Sequence, residues 1–116
     1  MQMKKIIPLF LLHLVSFCVQ AQIGKVGINT ATPQAMLHVK DSSVLFTGAA
    51  TLTVTAGNPP VSGAGTRMMW YPDKAAFRAG NVNFTQWDKD NIGVYSFATG
   101  RSTRAIGDGS TAMGEV

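Results

Sequence analysis

Glycine returns every seventh residue near the C-terminal end of the chain, at Gly93, Gly100, Gly107 and Gly114. Two other positions keep the same period: Ala98, Ala105 and Ala112, and the small hydroxyl residues Ser96, Thr103 and Ser110. A helical heptad would repeat large apolar residues instead, and each glycine in a helix interior costs about 1 kcal/mol relative to alanine. A coiled coil is therefore excluded. The physical alternative is a stack of short strands joined by tight turns, where glycine supplies backbone angles that other residues resist. The hydroxyl and alanine positions, two residues apart, then share one face, and their small side chains let neighbouring backbones approach closely. Each unit buries too little alone, so such arrays need several coils and capped ends. With three units present, the pattern reads as the start of a longer array.

The run Gly-x-x-Ser-x-Ala-x-Gly-x-x-Thr-x-Ala-x-Gly-x-x-Ser-x-Ala-x-Gly, from Gly93 to Gly114, resembles the head repeats of trimeric autotransporter adhesins, the YadA-like head. The resemblance covers about a fifth of the chain. It implies that two seven-residue halves make one coil of a left-handed parallel β-roll and that three chains associate as a homotrimer. It also implies a surface-exposed adhesive head facing a host or matrix ligand, at the outer membrane or outside the cell. Separately, Val26-Gly27-Ile28-Asn29-Thr30-Ala31-Thr32-Pro33, with Leu37-His38-Val39, resembles the start of exported tail-fibre-like proteins common in Bacteroidetes. Neither a coiled-coil stalk nor a C-terminal membrane barrel is legible in the 116 residues, which leaves autotransport by this chain itself without support.

The opening residues fit export. Lys4 and Lys5 precede Ile6 to Val19, where 11 of 14 residues are apolar, and Val19-Gln20-Ala21 ends on a small residue. That is the pattern of a secretory signal peptide over residues 1–21. A spanning helix needs roughly 20 apolar residues, and this shorter run contains Pro8 and His13. Cys18, the single cysteine, would leave with the leader, which removes any disulfide or thiol chemistry from the mature chain. Lipidation at Cys18 is disfavoured because Phe17 stands where such a site requires a small residue.

Cleavage after Ala21 leaves 95 residues with eight basic and six acidic side chains, a net charge of +2. A nucleic-acid partner is not expected from so small an excess. In those residues Ile, Leu, Val and Phe together make up only 20%, whereas Ala, Gly, Ser and Thr make up 43%. Large apolar surface is short for a monomeric core, so oligomerisation or repeat stacking is expected to supply it. The chain is expected to be mainly β, with a β-rich connector over 22–90 followed by head repeats over 91–116.

Within the connector, apolar patches at Ile23–Ile28 and Met36–Val39 predict two strands around the turn-forming Asn29-Thr30, with a single helical turn at 34–36. Val44–Phe46 predicts another short strand. Leu52, Val54 and Ala56 alternate with Thr51, Thr53 and Thr55, which predicts a half-buried strand stopped by Gly57-Asn58-Pro59-Pro60. Arg67 to Gly80 predicts a hairpin turning at Pro72-Asp73, with Met68 and Trp70 on one face and Met69 and Tyr71 on the other. Alternation over Val82 to Trp87 predicts a further strand.

Chemical motifs are sparse. His38, the one histidine after the leader, has no second histidine or cysteine with which to hold zinc. Gly63-Ala64-Gly65 lacks the remaining parts of a nucleotide fingerprint, and no Ser-His-acid order stands out. Asp88-x-Asp90-Asn91-x-Gly93 imitates the opening of a calcium loop, but Ile92 stands at the fifth position, where an oxygen ligand is needed, and Thr99 at the twelfth, where a bidentate Glu is needed. No enzyme activity, cofactor or metal is expected. Trp70, Tyr71 and Trp87 are read as interior or interface residues rather than a sugar platform, and Arg101, Arg104, Asp108 and Glu115 as an outer polar face. The expected function is multivalent adhesion. The alternatives are a structural fibre whose repeats act as spacers and an exported enzyme whose catalytic part lies beyond Val116.

Overall fold

The computed structural model describes residues 24–116; the expected leader at 1–21 and Cys18 lie outside the described residues. The chain divides into two units, one ending at Val44 and the other running from Leu45 to Val116.

In the first unit, β1 (Val26–Ile28) pairs in parallel with β2 (Leu37–Val39), with Gly27 beside His38. Asn29 makes the turn in the left-handed region at φ 58°, and its side-chain amide donates to the Lys40 carbonyl at 3.1 Å. Gly27 admits no side chain, because a Cβ there would strike the Thr30 carbonyl oxygen and the Pro33 ring. The expected helical turn at 34–36 is not formed. Gln34 N–H instead donates to His38 Nδ1 at 3.2 Å, while the Met36 carbonyl accepts from Val26 N–H at 2.6 Å.

The second unit is built on one open four-stranded sheet in the order β3 (Gly65–Tyr71), β4 (Ala76–Val82), β5 (Phe97–Arg101) and β6 (Thr111–Glu115). The expected hairpin is present: β3 and β4 are antiparallel, with Tyr71 opposite Ala76. A 3₁₀ turn at Pro72–Lys74 joins them, and Ala75, at φ 46°, closes it by donating to the Pro72 carbonyl at 3.0 Å. From β4 onward the pairing is parallel, and β5 meets β6 with Phe97 beside Thr111, fourteen residues later in the chain. The two strands from within 22–90 and the two from within 91–116 thus share one ladder.

Met69, Tyr71, Ala76, Val82, Trp87 and Ile92 form a buried cluster beneath β3 and β4, with Ala56 packed against it. Trp87 is wholly buried; its indole N–H donates to the Thr103 carbonyl at 2.9 Å, and the Arg67 guanidinium lies over its ring at 5.5 Å. A buried aromatic of this size, with its one donor satisfied, anchors this cluster.

Three expected strands are not formed. Residues 44–46 and 51–56 are irregular, and Val54 is fully exposed. Alternation gives a strand only where a neighbouring backbone offers ladder groups, and side chains tether this segment instead. Tyr71 OH donates to the Gly57 carbonyl, and Asp73 Oδ2 accepts from Gly57 N–H at 2.8 Å. β4 also stops at Val82. Phe84 N–H is taken by Gln86 Oε1 at 2.9 Å and Asp88 N–H by the Thr85 carbonyl at 2.9 Å, a turn that carries Trp87 inward.

Candidate functional site

The repeat glycines lie against one another across the parallel strands. Gly100 is aligned with Gly80 on β4 and Gly114 on β6, and all three have positive φ, at 109°, 135° and 107°. A Cβ on Gly80 would land on the Gly100 carbonyl oxygen, and one on Gly100 would land on that of Gly114. Likewise, a Cβ on Gly93 would strike the Gly107 carbonyl oxygen. Both halves of the seven-residue period therefore meet their counterparts at a fourteen-residue offset. Glycine is required twice over at Gly80 and Gly100, by close approach and by backbone angle, at Gly93 by close approach alone and at Gly114 by backbone angle alone.

The other repeat positions fill the inner face. Ser96, Ala98, Thr103 and Ala105 are buried, while Ser110 and Ala112, in the outermost coil, are half-buried. Ser96 Oγ donates to the Gly93 carbonyl and Ser110 Oγ to the Gly107 carbonyl, each at 2.5 Å. Serine thus ties down the strand entry of its own coil. Thr103 plays no such part, since its Oγ1 is buried without a partner.

Arg78 was not legible as part of this site. It projects inward beside Ala98 and is completely buried, with no carboxylate in contact. Nη1 donates to the Phe77 and Ser96 carbonyls at 2.8 and 3.0 Å, and Nη2 to Ser96 Oγ and the Ala105 carbonyl at 2.7 and 3.1 Å. Desolvation pushes the guanidinium down to about 10, which leaves it charged at neutral pH. The alanine period makes room for it, because a larger residue at Ala98 or Ala105 would occupy the same interior.

The turns follow a second clock that composition hides. Tyr95, Ser102 and Gly109 have φ of 55°, 55° and 66°, each seven residues from the next. The N–H of each donates to the preceding layer: to Lys74, Asn81 and Val94 carbonyls at 2.7, 2.8 and 2.7 Å. Only the third is glycine, so the signal was present in one unit of three. The Lys74 side chain fastens the 3₁₀ turn at Lys89–Asn91, with Nζ donating to the Lys89 and Ile92 carbonyls at 2.6 Å each.

Other candidate residues take structural positions. Asp88 Oδ1 accepts from Gly63 N–H at 2.6 Å, and no group of three His, Cys, Asp or Glu side chains suited to a metal converges among the described residues. Tyr71 and Trp87 are interior, whereas Trp70 is half-buried on the outward side of β3. A groove of about 390 Å³ runs between Leu52–Ala56 and the turn at Val94-Tyr95. Arg101 and Glu115 form an exposed ion pair at 2.5 Å. Arg104 donates to Asn91 Oδ1 at 2.6 Å, and Asp108 Oδ1 accepts from Val94 N–H at 3.1 Å.

The outward face of the sheet is ordered in columns by the strand register. Trp70, Phe77, Phe97 and Thr111 form one; Met68, Ala79, Thr99 and Met113 the next; Thr66, Asn81, Arg101 and Glu115 the third. Phe77 and Phe97 stack with centroids 5.5 Å apart and planes 14° from parallel. Met68 and Met113 are 75% and 71% exposed. The third column is polar, with Asn81 Nδ2 donating to Thr66 Oγ1 at 2.8 Å beside the Arg101–Glu115 pair. The chain matches no family model, no curated protein and no solved structure.

Proposed function

We propose that this is an exported, non-enzymatic adhesin-like protein whose C-terminal coils begin a trimeric left-handed parallel β-roll head presented at the cell surface. The observation carrying the reading is the parallel pairing of β5 with β6 at a fourteen-residue offset, glycine on glycine, two seven-residue units to the coil. That geometry suits an array that lengthens by repetition. The Ser96 hydroxyl and the two terminal nitrogens of Arg78 are committed to backbone carbonyls rather than gathered around a pocket. Function in such an array comes from surface presented many times. Three copies joined side by side turn weak contacts with a host or matrix surface into firm attachment, a gain of roughly 10²-fold or more through effective concentration.

The test is adhesion of the chain, purified from the exporting cell, to a collagen-coated surface and to an epithelial monolayer, with sedimentation in parallel. A trimer that binds either surface, and loses binding when Gly100→Val disrupts the coils, supports the reading. A monomer that binds neither surface contradicts it.

A further inference from the structure

We infer that the outward face of the four-stranded sheet, centred on Met68, Trp70, Phe77, Phe97 and Met113, is the surface on which further copies of this chain dock. The inference rests on the self-associating reading above and names its contact surface. Of the eight buried hydrophobic residues among those described, three are alanines. Yet the sheet turns two methionines and an aromatic column outward, where the register makes them contiguous. Four strands at about 4.8 Å and the three residues at about 3.3 Å that span the two apolar columns give a patch of roughly 190 Å². A standard interface buries about 800 Å² per partner, so this face is the centre of a contact that tightens with every coil added beside it.

Charge selects the occupant. The polar column bordering the patch carries one cation and one anion, Arg101 and Glu115, already paired, beside the neutral Thr66–Asn81 pair. An anionic membrane or a nucleic acid finds no excess positive charge there. Further copies bring the same apolar columns and the same balanced rim, so three such faces gathered about one axis leave no charge unmatched. The aromatic column begins on β3 and β4, outside the seven-residue repeat, so the hairpin itself supplies part of the docking surface.

Met68→Glu with Met113→Glu is the direct test, since both side chains are mostly exposed and contribute little packing within one copy. By sedimentation at high micromolar concentration the unsubstituted chain is expected at three copies and the double variant at one, a threefold fall in mass with an unchanged far-ultraviolet circular dichroism spectrum. Ile106→Glu, at an exposed position outside these columns, should remain at three copies. Dilution of the unsubstituted chain should shift tryptophan emission to the red, and Trp70→Phe should abolish that shift because Trp87 stays buried. A double variant that still sediments as three copies overturns the assignment of this face while leaving self-association standing. An unsubstituted chain that is monomeric throughout overturns both, and binding to anionic lipid vesicles in place of self-association overturns the choice of occupant.

Discussion

Residues Thr51–Ala56 and Phe97–Arg101 belong to the same unit and invert the ordinary expectation from sequence. The first alternates threonine with apolar residues, a composition suited to a pleated, half-buried surface, and forms no strand. The second contains Gly100, whose backbone freedom weakens a strand, and forms the centre of the parallel ladder. What separates them is the availability of a neighbour. β5 has β4 on one side and β6 on the other, at a distance that only glycine permits. Residues 51–56 have no neighbouring strand, and the segment that follows is fastened by Tyr71 and Asp73 to Gly57. In this fold the ladder decides where strands lie, and intrinsic preference is secondary.

The largest expected effect lies in the ladder. Gly100→Val places a branched side chain on the Gly114 carbonyl at φ 109°. The loss should be at least about 4 kcal/mol, enough to prevent cooperative folding, as read by urea denaturation. A Gly100→Val chain that unfolds normally would show that close approach of coils is not what holds β5.

A smaller effect is expected at the tether. Tyr71→Phe removes the hydrogen bond to Gly57 and should cost about 1–2 kcal/mol at neutral pH. Its pH dependence sharpens the point. Burial raises the Tyr71 phenol above its ordinary value of 10.0, and the nearby Asp73 and Asp90 carboxylates raise it further. The stability this gives is complete below pH 10 and is lost as pH rises through the folded-state value, because a phenolate cannot donate to a carbonyl. Denaturation midpoints of the two chains should therefore converge in alkali.

Ser102 is expected to move stability the other way. Its φ of 55° is costly for a residue with a Cβ, and its buried hydroxyl has no partner. Ser102→Gly should raise stability by about 1 kcal/mol, bringing the second turn into line with the third at Gly109. The smallest effect belongs to Val54. Because it is fully exposed, Val54→Ser should change stability by less than about 0.5 kcal/mol, whereas a strand position facing a core would lose several times as much.

Much of the inner face was legible beforehand. The coincidence of glycine, alanine and hydroxyl periods predicted short strands with Ser96, Ala98, Thr103 and Ala105 on one side; all four are buried, but only Ala98 lies in a strand, and Thr103 and Ala105 belong to the irregular segment between β5 and β6. The hairpin was legible because Pro72-Asp73 sits between two apolar runs. Arg78 was not, since a basic residue in a strand ordinarily faces water, and its burial depends on space left by alanines 20 and 27 residues away. The left-handed turns were hidden for a related reason. Tyr95 and Ser102 are held there by the hydrogen bonds their N–H groups donate to carbonyls of the preceding layer rather than by their own preference. Residues 51–56 misled because a periodic pattern states which side of a strand would be buried, not whether a partner strand exists.

The central claim is the fourteen-residue offset between the paired strands β5 and β6, and paired cysteines test it most directly. In a chain whose Cys18 is replaced by Ser, Thr99→Cys with Met113→Cys places two outward thiols on directly adjacent positions of β5 and β6, within the span a disulfide can bridge. The same chain with Thr99→Cys and Ile106→Cys is offset by seven residues instead. Rapid intrachain oxidation of the first pair and none of the second is the predicted result. Oxidation of the second pair in preference to the first would contradict the coil.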